Sequence, residues 1–224
     1  MDQQRLEQLR GICAEAGFAR KGNAFFRIVG DGVLQIVRPR YERAFRAYVI
    51  FVGLLSMYDR LTPRHFTAAG CVARYPVTNC AACNGIPLIF APDLAAQTEL
   101  LRAKVIPWLD TLDTQKKLIQ AISQLDPRWN DAQKIGPFIA CGQINHARKV
   151  IKEIIGQHAY AQASGLTRQS APGADRETQI YNLLVLLNRD DPAKIDGYLQ
   201  ENYAQNLILA KFCTIRADTN QHSE

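Results

Sequence analysis

The sequence has no apolar run approaching the roughly 20 residues that a helix needs to cross a bilayer. Its longest such run, Tyr48 to Leu55, is the size of a strand. The opening residues, MDQQRLEQLR, are polar from the start and carry no leader pattern, so a cytoplasmic, bacterial-type protein is expected. The chain also lacks the dense, regular cysteine spacing of a secreted disulfide scaffold. Cys13, Cys71, Cys80, Cys83, Cys141 and Cys213 are scattered over 224 residues, and free thiols are the expectation.

Recognisable chemistry is scarce as well. There is no glycine-rich phosphate loop, nucleophile elbow or paired acidic motif, and His65, His146, His158 and His222 stand in unrelated contexts. Gly30-Asp31-Gly32 precedes a strand pattern rather than a helix, which makes it a hairpin turn and not a phosphate cradle. Cys80-Ala-Ala-Cys83, with Cys71 and His65 nearby, has the spacing to hold part of a tetrahedral zinc site, but a structural site wants a second close pair. Cys141 and His146 fall in a separate helical pattern. A redox role would place the pair at a helix start, whereas Asn84-Gly85-Ile86-Pro87 reads as a turn. No catalytic residue, metal or cofactor is expected, and an enzyme without a recognisable motif is the reading kept open against this.

What the chain does have is a large apolar fraction, 47%, beside 21% charged residues, the balance of a soluble globular fold with no disorder signature. The net charge of +6 is unevenly placed. Arg20 to Arg74 holds ten cationic side chains against Asp31, Glu42 and Asp59, and the remainder sums to about zero.

The hydrophobic periods give an α+β fold: an N-terminal helix, an antiparallel sheet of about four or five strands, and a helical C-terminal half. Leu6, Leu9, Cys13 and Ala16 recur at helical spacing over 2–16, with Gly17 as the stop. From Ala24 the period becomes two. Phe25, Arg27 and Val29 alternate with Phe26 and Ile28, then Val33, Gln35 and Val37 with Leu34 and Ile36, around Gly30-Asp31-Gly32. Pairing Val29 with Val33 sets Arg27 opposite Gln35 and Phe25 opposite Val37. The core face is expected to be Phe26, Ile28, Leu34 and Ile36, joined by Val49 and Phe51 of a third strand over 44–54, and Arg27 to lie on the solvent face with Gln35.

Residues 56–92 are rich in Pro and Gly, with strand candidates at 70–75 and 86–90. Asp93 caps a helix to Val105, and Pro107 ends or kinks it. A short helix covers 114–125, and 131–141 with 144–155 forms one tetratricopeptide-like hairpin around Gly142. Residues 161–175 read as a flexible linker between a domain over 1–160 and a helical pair over 176–224 packed on it, the second helix opening at Asp191-Pro192.

Gly17-Phe18, Lys21-Gly22-Asn23, Phe25-Phe26-Arg27, Gly32-Val33-Leu34-Gln35, Val52-Gly53 and Val105-Ile106-Pro107-Trp108-Leu109-Asp110 together resemble the bacterial domain of unknown function 4304 family. The likeness covers the first half well and the second loosely; Arg38-Pro39-Arg40 and the cysteine-bearing loop depart from the pattern. The resemblance implies an α+β sheet followed by helices and brings no catalytic residues. It also implies a setting near polymorphic toxin genes, hence an immunity-type protein that binds and neutralises a toxin encoded nearby.

The strongest functional feature is the cluster Arg27, Arg38, Arg40, Tyr41, Arg43, Arg46 and Tyr48. Arginines interleaved with tyrosines suit an acidic protein partner or, alternatively, the phosphates and bases of a nucleic acid. The third reading is a solvated sheet face whose arginines keep it soluble and block edge pairing. A protein partner is the reading adopted, with no membrane partner; the positive charge argues against mimicry of nucleic acid.

Overall fold

The structure, a computed structural model, describes residues 3–43, 46–61, 66, 75–76, 93–125, 135–163, 174–211 and 214–216. It is the α+β arrangement that the periods predict. Helix α1 (Gln3–Glu15) leads into β1 (Ala19–Lys21), β2 (Ala24–Val29), β3 (Val33–Glu42), β4 (Ala47–Ser56) and β5 (Tyr75–Pro76). These strands form an antiparallel path in the order β1-β2-β3-β4-β5. A last strand, β6 (Thr214–Arg216), joins β2 in parallel, so the sheet is mixed at that edge.

Between the sheet strands and β6 lie α2 (Leu94–Leu100), a π-helical segment (Leu101–Val105), α3 (Ile106–Asp110), α4 (Gln115–Leu125), α5 (Ile135–Ala140), α6 (Ile144–Ala163), α7 (Ala174–Asn188) and α8 (Pro192–Leu209). Asp93 caps α2 through a 3.1 Å bond from the Ala95 N–H, and Asp191 caps α8, whose first position is Pro192. Pro107 does not break its helix. The π-helical turn just before it, closed by the Ile106 N–H on the Leu101 carbonyl, widens the coil where a proline has no N–H to give. The hairpin of α5 and α6 turns at Gly142. Helix α6 continues to Ala163, and 164–173 of the expected linker lie outside the described residues, as do the strand candidates at 70–74 and 86–90.

The β2–β3 register has Arg27 opposite Gln35, Phe25 opposite Val37 and Val29 opposite Val33. The cover on the sheet differs from the expectation. Phe26, Ile28, Leu34 and Ile36 are buried, against Tyr203, Leu207 and Ala210 at the end of α8; Val49 is buried too, while Phe51 is only half-buried. The opposite face is buried as well: Phe25, Val29, Val33 and Val37 pack with Leu9 and Cys13 of α1 and with Leu101, Leu109 and Leu118. Every residue of β2 is therefore buried, and Arg27 and Gln35, expected at the solvent, are both 0% exposed. A sheet sandwiched between helical layers has no solvent face at its centre.

A third core joins α5, α6, α7 and the first half of α8. Helix α8 belongs to two cores, placing Ile195 and Leu199 among the helices and Ala210, just past its end, under the sheet.

Candidate functional site: the tip of the β3–β4 hairpin

Strand β3 pairs with β2 only over Val33–Val37, but with β4 along its whole length to Glu42 opposite Ala47. Residues 39–42 and 47–50 thus extend as a two-stranded arm beyond both β2 and β5, and this arm, with Arg38 at its root and its turn, carries six of the seven expected partner-binding residues. Arg38, Arg40, Tyr41 and Tyr48 are on its strands, and Arg43 and Arg46 in the turn. The strand runs unbroken through Pro39. Pro39 faces Ile50, whose N–H points the other way, to Gln97. The pair is therefore of the kind that exchanges no ladder bonds, and the missing proline N–H falls on the β2 side, where β2 has already ended.

Alternation divides the cluster. Arg38 and Arg40 share the face of Ile36 and Val49, while Tyr41 and Tyr48 share the face of Arg27. Tyr41 and Tyr48 sit directly opposite, with ring centroids 5.3 Å apart at 64°, an edge-to-face pair of the favoured kind. Tyr48 is half-buried against the core below it, and Tyr41 is 48% exposed. One ring is fixed and presents the other. Of the two arginines on the strands of this arm, Arg40 is the more outward, its side chain 60% exposed and 3.0 Å from Glu42, while Arg38 is half-buried. Arg43 and Arg46 are exposed, and Arg46 holds a left-handed φ of 49°, its N–H on the Arg43 carbonyl at 3.3 Å. The expected third strand over 44–54 begins instead at Ala47, because Arg46 turns the chain and cannot lie in a strand; 44–45 lie outside the described residues.

The root of the arm is held by a residue that the sequence did not single out. Gln97 of α2, 1% exposed, accepts from the Ile50 N–H at 2.8 Å and donates to the Tyr48 carbonyl at 2.9 Å. One side-chain amide satisfies two of the backbone groups that a neighbouring strand would have bonded. It therefore caps the sheet edge beneath the tip.

Arg27, the seventh residue, is far from surface duty. Its Nε donates to Gln35 at 2.8 Å and its Nη1 to the Ala16 carbonyl at 2.7 Å, its Nη2 lies 2.7 Å from the Asp110 carboxylate, and its guanidinium stacks 4.4 Å from the Phe18 ring centre. Gln35 passes the network on to the Leu109 carbonyl at 2.6 Å. The hub ties α1 and α3 to the sheet. It also bounds the chemistry of Cys13, whose thiol burial pushes up to about 12 while the Arg27 charge pulls the other way; such a thiol is inert at neutral pH. Burial likewise raises Cys141.

Among the described residues, no group of three or more His, Cys, Asp and Glu side chains is placed to share a metal; His65, Cys71, Cys80 and Cys83 lie outside them. No described helix is long and apolar enough to cross a membrane. No family model matches the chain, and neither the curated proteins nor the solved structures give a match.

Proposed function

We propose that the protein is a protein-binding domain whose contact surface is the β3–β4 tip, and that it acts as an immunity-type protein on a toxin encoded beside it. One observation carries the binding reading: a projecting arm offers Arg40, Arg43, Arg46 and the exposed Tyr41 together, on a base held rigid by Tyr48 and Gln97. Tyr and Arg are the residues most enriched among binding anchors, and a pre-formed arm loses little entropy when it docks. The partner's face should be acidic. The toxin-neutralising part rests on the resemblance to the domain of unknown function 4304 family.

Co-expression tests it. The product of the adjacent gene should be toxic alone and harmless with this chain present, and the two should co-purify through an interface on the order of 1,600 Å². A harmless neighbour, or one still toxic in the presence of this chain, overturns the immunity reading. Binding to generic DNA or RNA with a steep salt dependence would instead assign the tip to nucleic acid.

A further inference from the structure

Where β4 ends, the chain enters a polar clamp. Asn206 of α8 donates to the Met57 carbonyl at 2.8 Å and to the Asp59 carbonyl at 2.6 Å, and Asn202, one turn earlier, donates to the Tyr58 carbonyl at 3.1 Å. Three successive carbonyls leaving the strand are thus satisfied by one helix. The Tyr58 hydroxyl donates to Asp31 at 2.9 Å, and its ring lies 5.4 Å from that of Tyr203.

Asp59 sits inside this clamp and faces α5. Its Oδ1 accepts the Gly136 N–H at 2.9 Å, and its Oδ2 is buried with no hydrogen-bond partner among the described residues. The approach is too close for any side chain at 136, since a Cβ there would meet Oδ1 at 2.4 Å and the Asp59 nitrogen at 2.8 Å. A carboxylate in this position would have one N–H for two oxygens and, among the described residues, no ion pair to a cation. A carboxyl group needs less.

We propose that Asp59 is a proton-dependent latch between the sheet and the α5–α6 hairpin, docked when its carboxyl is protonated and loosened when it ionises. Among the described residues, the titratable groups near it are Tyr58 and Arg60 on its own segment and Tyr198 on α8, which Glu201 also faces, with Asp31 beyond Tyr58; α5 contributes no titratable side chain. Tyr198, itself raised by burial, feels Asp59 and Glu201 pushing its hydroxyl further up while Arg60 opposes them. Desolvation raises the Asp59 carboxyl well above the ordinary carboxylate range, against the lowering effect of the single Gly136 bond.

The sign follows from linkage. A carboxyl raised on folding binds its proton more tightly in the native state, so its stabilisation is complete below the unfolded value of about 3.9 and is lost as pH climbs towards the folded value. The test compares the full chain with Asp59→Asn, which keeps the Gly136 acceptor and cannot ionise. Between pH 5 and 9, the parent should lose urea resistance relative to the variant. Amide exchange over 135–140, corrected for the intrinsic effect of pH, should speed up in the parent alone. A difference between the two proteins that does not change with pH overturns the latch. Should the variant fail to fold, carboxyl-carbon NMR of the parent decides: titration of Asp59 in the ordinary range near pH 4 refutes the proposal, and titration well above it supports it.

Discussion

Arg27 and the arginines of the hairpin tip belong to one sheet, yet they occupy opposite physical regimes. Arg27 is 0% exposed and each of its three nitrogens meets an oxygen; Arg40 is mostly in solvent beside the Glu42 carboxylate. A buried guanidinium without its partners costs several kcal/mol, whereas an exposed ion pair contributes about 0–1 kcal/mol. Cation content alone therefore says little about surface function. A strand arginine becomes a structural hub where helices cover its face and a solvent-facing cation where the strand outruns them.

The largest effect that could break this comparison is at Arg27. Arg27→Met keeps much of the volume but leaves Gln35 Oε1 and the Ala16 carbonyl without their donor, and a loss of about 3–5 kcal/mol in urea unfolding is expected. A loss under about 1 kcal/mol would place Arg27 with the tip arginines. The next effect down is at Gln97. Gln97→Leu strips the Ile50 N–H and the Tyr48 carbonyl of their partner and should cost about 1–3 kcal/mol. The loss should be concentrated at the arm, so that amide protection at Ile50 falls more than at Ile36 in the sheet centre. Equal loss at both would mean that Gln97 is only part of the general core.

Much of the architecture was legible because local chemistry dictated it. The Gly30-Asp31-Gly32 turn left one sensible register for β2 and β3, and that register is present. Asp93 and Asp191-Pro192 announced their helices. The cover over Arg27 was harder to read, since alternation marks a polar position without saying what lies above it. The available signal was its company: Phe25, Val29, Val33 and Val37 on the same face are all apolar, an odd setting for solvent. Of the site, the composition of the tip was legible and its geometry was not. A single-residue phase separates Arg38 and Arg40 from Tyr41 and Tyr48, and Arg46 turns where a strand was expected. Gln97 and Asp59 gave no sequence signal, because their partners are backbone groups more than 40 residues away.

The smallest expected effect on stability, and the one that most sharpens the comparison, is at the tip itself. Arg40→Glu with Arg43→Glu removes the exposed Arg40–Glu42 pair and reverses two solvent-facing charges. Unfolding should shift by no more than about 1 kcal/mol. Binding to the proposed partner should behave in the opposite way. Exposed rim charges act mainly on encounter, so association should slow by on the order of tenfold at low salt, with the gap closing as salt is raised. Tyr41→Ala should leave encounter almost untouched and speed dissociation, because it deletes the ring that Tyr48 presents. Both variants can be measured by surface-immobilised kinetics against the purified partner at two ionic strengths. If charge reversal at the tip lowers stability as much as Arg27→Met, or leaves association unchanged at low salt, then the tip arginines serve the fold, and the contact surface lies elsewhere.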